Sequence, residues 1–256
     1  MLKTIRADFY RLFHSKGFFI TQGILIVLIM FIILTETVGS IASGSGVVDS
    51  QSQLISVWTG TGTVTTISTM ASSLLYFCLP LFIMTLGFDL SRKTYKNLLT
   101  AGVSRLSFLL SKYIVFLIMS ALQFVFYYGV AFLSASIKNG VGELDVEFFQ
   151  TFGQAVGFQF FSLQAIFVLG LIATVCTFSN VAGVLTVVIV PLVLMLLPVF
   201  IKSQDWLTYL CFQQLIDAAW MTSLPDHFWL KAAVSISITI VLGLTLSYQQ
   251  FRKKEL

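Results

Sequence analysis

Apolar residues run almost unbroken through six stretches of this chain, and the segments between them hold nearly all of the charge. A helix needs roughly 20 mostly apolar residues to cross a bilayer. Residues 18–38, 71–88, 108–135, 158–178, 181–201 and 232–248 each read as such a span. The third is long enough to tilt or to project. Only Ser179-Asn180 separates the fourth from the fifth, which predicts a tight helical hairpin, because one helix of that combined length could not fit a single bilayer. The N-terminus is basic and then apolar, but its apolar run is long for a signal peptide and no small-residue cleavage site follows. It reads as a retained first span. The expected fold is one all-α transmembrane domain over residues 1–256.

The polar segments differ in kind. Residues 1–16 place Leu2, Ile5, Phe9, Leu12 and Phe13 on one side of a helix, with Lys3, Arg6 and Arg11 largely on the other. That is the pattern of a helix lying in the membrane interface. Residues 39–66 are rich in Gly, Ser and Thr and read as a flexible external linker. Residues 91–105 carry charge, then Leu98-Leu99, then Gly102 as a helix stop, more structure than a simple connection needs. Residues 203–230 mix Trp206, Tyr209, Phe212, Trp220, Phe228 and Trp229 with polar residues. They predict one or two short helices at the outer surface, broken near Pro225, that anchor in the interface.

Charge placement gives orientation. Twelve Lys and Arg flank one set of span ends (Lys3, Arg6, Arg11, Lys16, Arg92, Lys93, Lys96, Arg105, Lys112, Arg252, Lys253, Lys254) and three flank the other (Lys138, Lys202, Lys231). Lysine and arginine gather on the cytoplasmic side, so both termini are expected in the cytoplasm. Overall composition, 57% hydrophobic and 10% charged, excludes an ordinary soluble domain. The net charge of +4 is accounted for by this topology and implies no nucleic-acid partner. Cys78, Cys176 and Cys211 form neither a CxxC motif nor a disulfide framework.

Nucleotide-binding and hydrolytic motifs are missing: the sequence holds no GxxxxGK[ST], HExxH or GxSxG. The two histidines, His14 and His227, fall on opposite sides of the expected topology, so no metal site is expected. Glu36 and Asp89 lie near span ends and can reach the interface. The spans otherwise carry mild polar groups. Gln123, Gln159 and Gln164 serve either as hydrogen-bonding glue between helices or as part of a path for an amphipathic cargo. Pro80 and Pro191 can bend the second and fifth spans. Gly153-x-x-x-Gly157 reads as a close-packing face.

Residues 89–105 followed by Lys112 resemble the first cytoplasmic loop of ABC-2 type transporter permeases. That family has an acidic residue, a Gly-Thr pair, a Leu-Leu pair, a small-Val-Ser-Arg turn and a Lys opening the third span. Asp89, Thr94, Leu98-Leu99, Val103-Ser104-Arg105 and Lys112 match, while Lys93 stands where the family has glycine. Size and the Lys96-Asn97 and Gly-Val-Ser-Arg residues look like small bacterial permeases for peptide antibiotics and lantibiotic immunity.

The resemblance implies the membrane subunit of an ATP-driven exporter in a bacterial cell membrane, moving a peptide antibiotic or other amphipathic cargo. Two permease subunits, identical or paired with a sibling, would enclose the path, and ATP and Mg would be bound by separate ATPase subunits rather than by this chain. Arg92, Lys93, Thr94, Lys96, Asn97, Leu98 and Leu99 would form a coupling helix seated in the ATPase, and residues 1–16, with Arg6, Phe9 and Arg11, a connecting helix. The positive-inside rule alone also explains the basic residues of the loop. Two further readings stand beside this one: a multispan membrane enzyme built on Asp205, Asp217, Asp226 and His227, and an ATP-independent structural or sensory membrane protein.

Overall fold

The structure is a computed structural model describing residues 2–36, 58–200, 205–220 and 227–253. Every regular element among them is helical. Six helical segments are long and apolar enough to cross a membrane, the architecture of a multi-pass membrane protein.

Helix α1 (Leu2–Phe13) is joined to α2 (Lys16–Thr35) by a turn at His14-Ser15. The next described element, α3 (Gly60–Ser68), corrects the expectation of a linker reaching residue 66. Its threonines do not loosen it. Thr65 and Thr66 donate to the Gly62 carbonyl at 2.7 and 2.8 Å, and Val64 and Ile67 pack into the core. Residues 37–57 of the expected linker lie outside the described residues.

The second span is not one uniform helix. A 3-10 turn at Ala71–Ser73 leads into α4 (Leu74–Phe82), then a π-helical turn at Ile83–Gly87, then α5 (Phe88–Ser91). Pro80 has no N–H to donate, and the wider turn follows it within one helical turn. Thr85 donates to the Leu81 carbonyl at 2.8 Å. Helix α6 (Tyr95–Thr100) fills the loop, and Gly102 ends it at φ +88°, as the sequence predicts.

Helices α7 (Arg105–Asn139) and α8 (Val146–Thr177) have 35 and 32 residues, about 50 Å each, far more than a bilayer core requires. Phe178 adopts a left-handed conformation, φ 53°, and the chain turns at once into α9 (Asn180–Phe200), forming the expected hairpin. Between the fifth and sixth spans lie a 3-10 segment (Asp205–Leu210), α10 (Phe212–Asp217) and a 3-10 turn (Ala218–Trp220). Pro225 lies outside the described residues. Helix α11 (Phe228–Lys253) completes the bundle.

Two long helices organise the packing. Helix α7 carries α1, α2, α3 and α4, whereas α8 carries α9, α10 and α11. Phe82, Phe116 and Phe167 join the two groups, with ring centroids 4.8–5.7 Å apart. The most apolar stretches of α2, α9 and α11 are only 22%, 17% and 22% buried, so these helices present hydrocarbon outward, which water would not tolerate over such an area.

The expected close-packing face, Gly153 and Gly157, meets nothing within 4 Å. Close approach is made instead at Gly183, where an added Cβ would collide with Thr174 Oγ1, and at Gly243, where it would collide with Val168.

Candidate functional site

The first turns of α7 meet α1, the π-helical turn and the end of α11, so the basic residues gather at one end of the bundle. Arg105 donates to the Phe251 and Arg252 carbonyls at 3.0 and 2.6 Å, and Lys112 of the same helix reaches Asp8 of α1, so both described termini lie at this end. His14 lies here, bonded to the Tyr10 carbonyl at 2.9 Å, and His227 precedes the far end of α11. No group of metal-ligating side chains occurs among the described residues.

Four charges converge inside this end. Lys112, 2% exposed, donates to Asp8 Oδ1 at 2.6 Å and pairs with Asp89 Oδ2. Arg11 holds Asp89 with both guanidinium nitrogens, at 3.0 and 3.2 Å, and approaches Asp8 at 3.4 Å. One of those nitrogens also donates to the Met84 carbonyl at 2.9 Å, inside the π-helical turn. Thr94 Oγ1 donates to Asp89 Oδ1 at 2.9 Å. One carboxylate of the second span thus ties together the N-terminal helix, the third span and the following loop.

Two cations and two carboxylates balance, which lets the group survive desolvation. Burial pushes the Asp8 carboxyl above its ordinary range despite Lys112, and Asp8 Oδ2 has no hydrogen-bond partner. Burial disfavours the Arg11 guanidinium, but its bonds to Asp89 and the charge of both carboxylates outweigh that and raise its pKa. Sequence reasoning placed Asp89 at the interface. It is 6% exposed because Arg11 and Lys112 enclose it. Asp8 was missed, although it stands among Ile5, Phe9 and Leu12 on the apolar side of α1, where a charge requires a buried partner.

The loop presents its polar side outward. Arg92, Lys93, Thr94 and Asn97 are exposed and Lys96 is half-buried, with the Arg92 guanidinium 4.7 Å above the Phe88 ring. Lys93 has φ 57°, the left-handed region that suits glycine. Leu98 and Leu99 are partly buried against this chain's own core. Tyr95 is buried behind them, stacked on Phe178 at 5.4 Å and edge-on to Phe251 at 5.4 Å. In α1, Arg6 is exposed and Phe9 is half-buried.

The three glutamines lie deep between helices. Gln22 donates to Gln123 at 2.6 Å, and Gln164 to Ser120 Oγ at 2.7 Å. Gln159 donates to Ser68 Oγ at 2.8 Å and to the Ile216 carbonyl at 3.0 Å, and accepts from the Tyr128 hydroxyl at 2.5 Å. Gln159 is fully engaged, whereas Gln22 Oε1, Gln123 Nε2 and Gln164 Oε1 have no hydrogen-bond partner. The Gln22–Gln123 pair joins α2 to α7, and the Gln164–Ser120 pair joins α8 to α7.

At the opposite end, Lys138 donates to Glu36 at 2.8 Å. Asp217 accepts the Ser72 N–H at 2.9 Å, and burial raises its pKa to about 7 despite that bond. Asp226 lies outside the described residues. Comparison with protein-family models and with curated proteins finds no match to this sequence.

Proposed function

We propose that this chain is the membrane-spanning permease subunit of an ATP-driven ABC exporter, moving a peptide antibiotic or another amphipathic molecule. The observation that carries the reading is the link between the exposed loop and the spans. Asp89 and Thr94 join the base of the Arg92–Asn97 surface to Arg11 of α1 and to Lys112 of α7. A partner pushing on that surface acts on the first three spans together. Tyr95, packed on Phe178 and Phe251, adds the fourth span and the sixth.

In this reading the basic end faces the cytoplasm of a bacterial cell, α1 lies in the inner interface, and α6 docks on a separate ATPase that binds ATP and Mg. Arg92, Lys93 and Lys96 steer the encounter. Leu98 and Leu99 brace the loop from behind rather than filling the partner's groove. A second permease, identical or sibling, covers part of the outward apolar surface, and lipid covers the rest. Gln123 and Gln164, with their spare polar atoms, offer hydrogen bonds to cargo, while Gln159 holds the helices together. The chain itself performs no chemistry.

The test is purification of the chain from its native membrane, followed by reconstitution with whatever ATP-binding protein accompanies it. The expected outcome is stable co-purification, with ATP hydrolysis and cargo export lost together in an Arg92→Glu, Lys96→Glu double variant. Normal hydrolysis and export in that variant would overturn the docking role, and absence of any ATP-binding partner would overturn the exporter.

A further inference from the structure

A second site lies far from the charge cluster. Between α7 and α8, toward the end opposite the basic loop, is a cavity of about 750 Å³, within the range of small-molecule sites. Its walls are aromatic: Phe124 and Phe132 from α7, and Phe148, Phe152 and Phe160 from α8. Its floor is made by absence of side chains. An added Cβ at Gly129, Gly153 or Gly157 would meet nothing within 4 Å. The single polar side chain in the lining, Tyr128, sends its hydroxyl away to Gln159. The interior therefore offers hydrocarbon contact and no hydrogen bond.

The mouth is different. Leu144, Phe148 and Phe149 of the lining alternate with Glu143, Asp145 and Glu147, all three exposed. Residues 139–201 contain no Lys, Arg or His. The preceding cation, Lys138, is bonded to Glu36. The N-terminus of α8 contributes roughly half a positive charge, so the exposed segment 143–147, which holds lining residue Leu144 and adjoins Phe148, stays negative with its three carboxylates.

We propose that this cavity binds a cationic amphiphile, with its hydrocarbon chain between Phe124, Phe152 and Phe160 and its positive head at Glu143, Asp145 and Glu147. Charge complementarity selects the head group, and the glycine floor between phenylalanine walls admits the chain. The inference stands without the exporter reading, because it needs no ATPase and no transport.

The test uses the full chain in zwitterionic phosphatidylcholine nanodiscs, without partner. Two photoreactive probes share one diazirine-bearing alkyl chain; one carries a trimethylammonium head and the other a sulfate. Labelling is mapped by mass spectrometry against the outward face of α2 at Ile24, Val27 and Phe31, which serves as the lipid-exposed reference. The cationic probe is expected to label residues 121–132 and 148–160 above that reference, by about fivefold over the sulfate. Gly153→Leu with Gly157→Leu fills the floor, gains helix propensity, and should abolish this labelling while leaving that of α2 intact. Glu143→Gln, Asp145→Asn and Glu147→Gln together should bring the two probes to parity. Labelling no stronger than on α2, or unchanged by the leucines, overturns the site. Equal labelling by both probes in the unaltered chain also overturns the proposal, leaving a general lipid-chain groove.

Discussion

Lys112 is buried between two carboxylates, Asp8 and Asp89. Removing it leaves Asp8 and Asp89 sharing one guanidinium in a buried place, and breaking a buried pair in this way costs about 3–5 kcal/mol. Lys112→Met is therefore expected to lower the thermal midpoint by about 6 °C or more. Adding Asp8→Asn restores neutrality, since Arg11 still holds Asp89, and should recover most of the loss; simple additivity of the two changes would show that the charges are not coupled. Asp217 gives a pH signature of opposite origin. Its folded pKa of about 7 lies above the ordinary carboxylate value, so the folded state binds the extra proton. Stability is then highest below pH about 4 for this group and falls as pH rises through 7. Asp217→Asn keeps an oxygen for the Ser72 N–H and should shrink the fall in melting temperature between pH 5 and 8. An unchanged pH profile would show that Asp217 is not its source. Of these residues Asp8 was legible in principle, as the one charge on the apolar stripe of α1. The depth of Asp89 was not, because its neighbours come from residues 78 positions earlier and from the next span.

At the scale of elements, span interiors and the hairpin turn near residue 179 were legible, but the start of the fourth span was not. Helix α8 begins at Val146, twelve residues before the apolar run at 158, because Glu147, Gln150, Thr151 and Gln154 interrupt hydropathy without interrupting helical hydrogen bonding. Those same interruptions space Phe148 and Phe152 along the cavity wall, so the missed turns are where the second site lies. Helix α3 was hidden for another reason. Glycine and threonine read as linker, yet threonine hydroxyls can satisfy carbonyls of the preceding turn. The loop between the second and third spans was legible in sequence down to its stop at Gly102, and its Lys93 has a structural consequence. Lys93 occupies a left-handed backbone conformation that costs a side chain about 1 kcal/mol. Lys93→Gly should raise stability by up to that amount in thermal unfolding, while Lys93→Val, β-branched at the same φ, should lower it. The reverse order would show that this backbone conformation is not held in the folded loop.

For the whole molecule, the loop between the second and third spans has a polar outer side and an aromatic inner side. Exposed Arg92 and half-buried Lys96 lie on the outer side of the loop, whereas Tyr95, one residue before Lys96, is buried against Phe108, Phe178 and Phe251. Aromatic pairs of this kind contribute about 0.5–1.5 kcal/mol each beyond their burial. Together they pack the loop against the α8–α9 turn and the end of α11. If the chain works with an ATPase, the two functions should separate by mutation. Tyr95→Leu keeps an apolar residue behind the loop and leaves the outer surface unaltered, so the ATPase should remain bound and continue to hydrolyse ATP. Export per ATP should fall, because fewer spans follow the loop. Arg92→Glu with Lys96→Glu should instead lose the partner altogether. Measuring partner retention, hydrolysis and export on the same reconstituted samples distinguishes the cases. Loss of the partner in Tyr95→Leu would mean that the aromatic cluster shapes the docking surface. Full export in that variant would mean that Asp89, Arg11 and Lys112 carry the motion unaided.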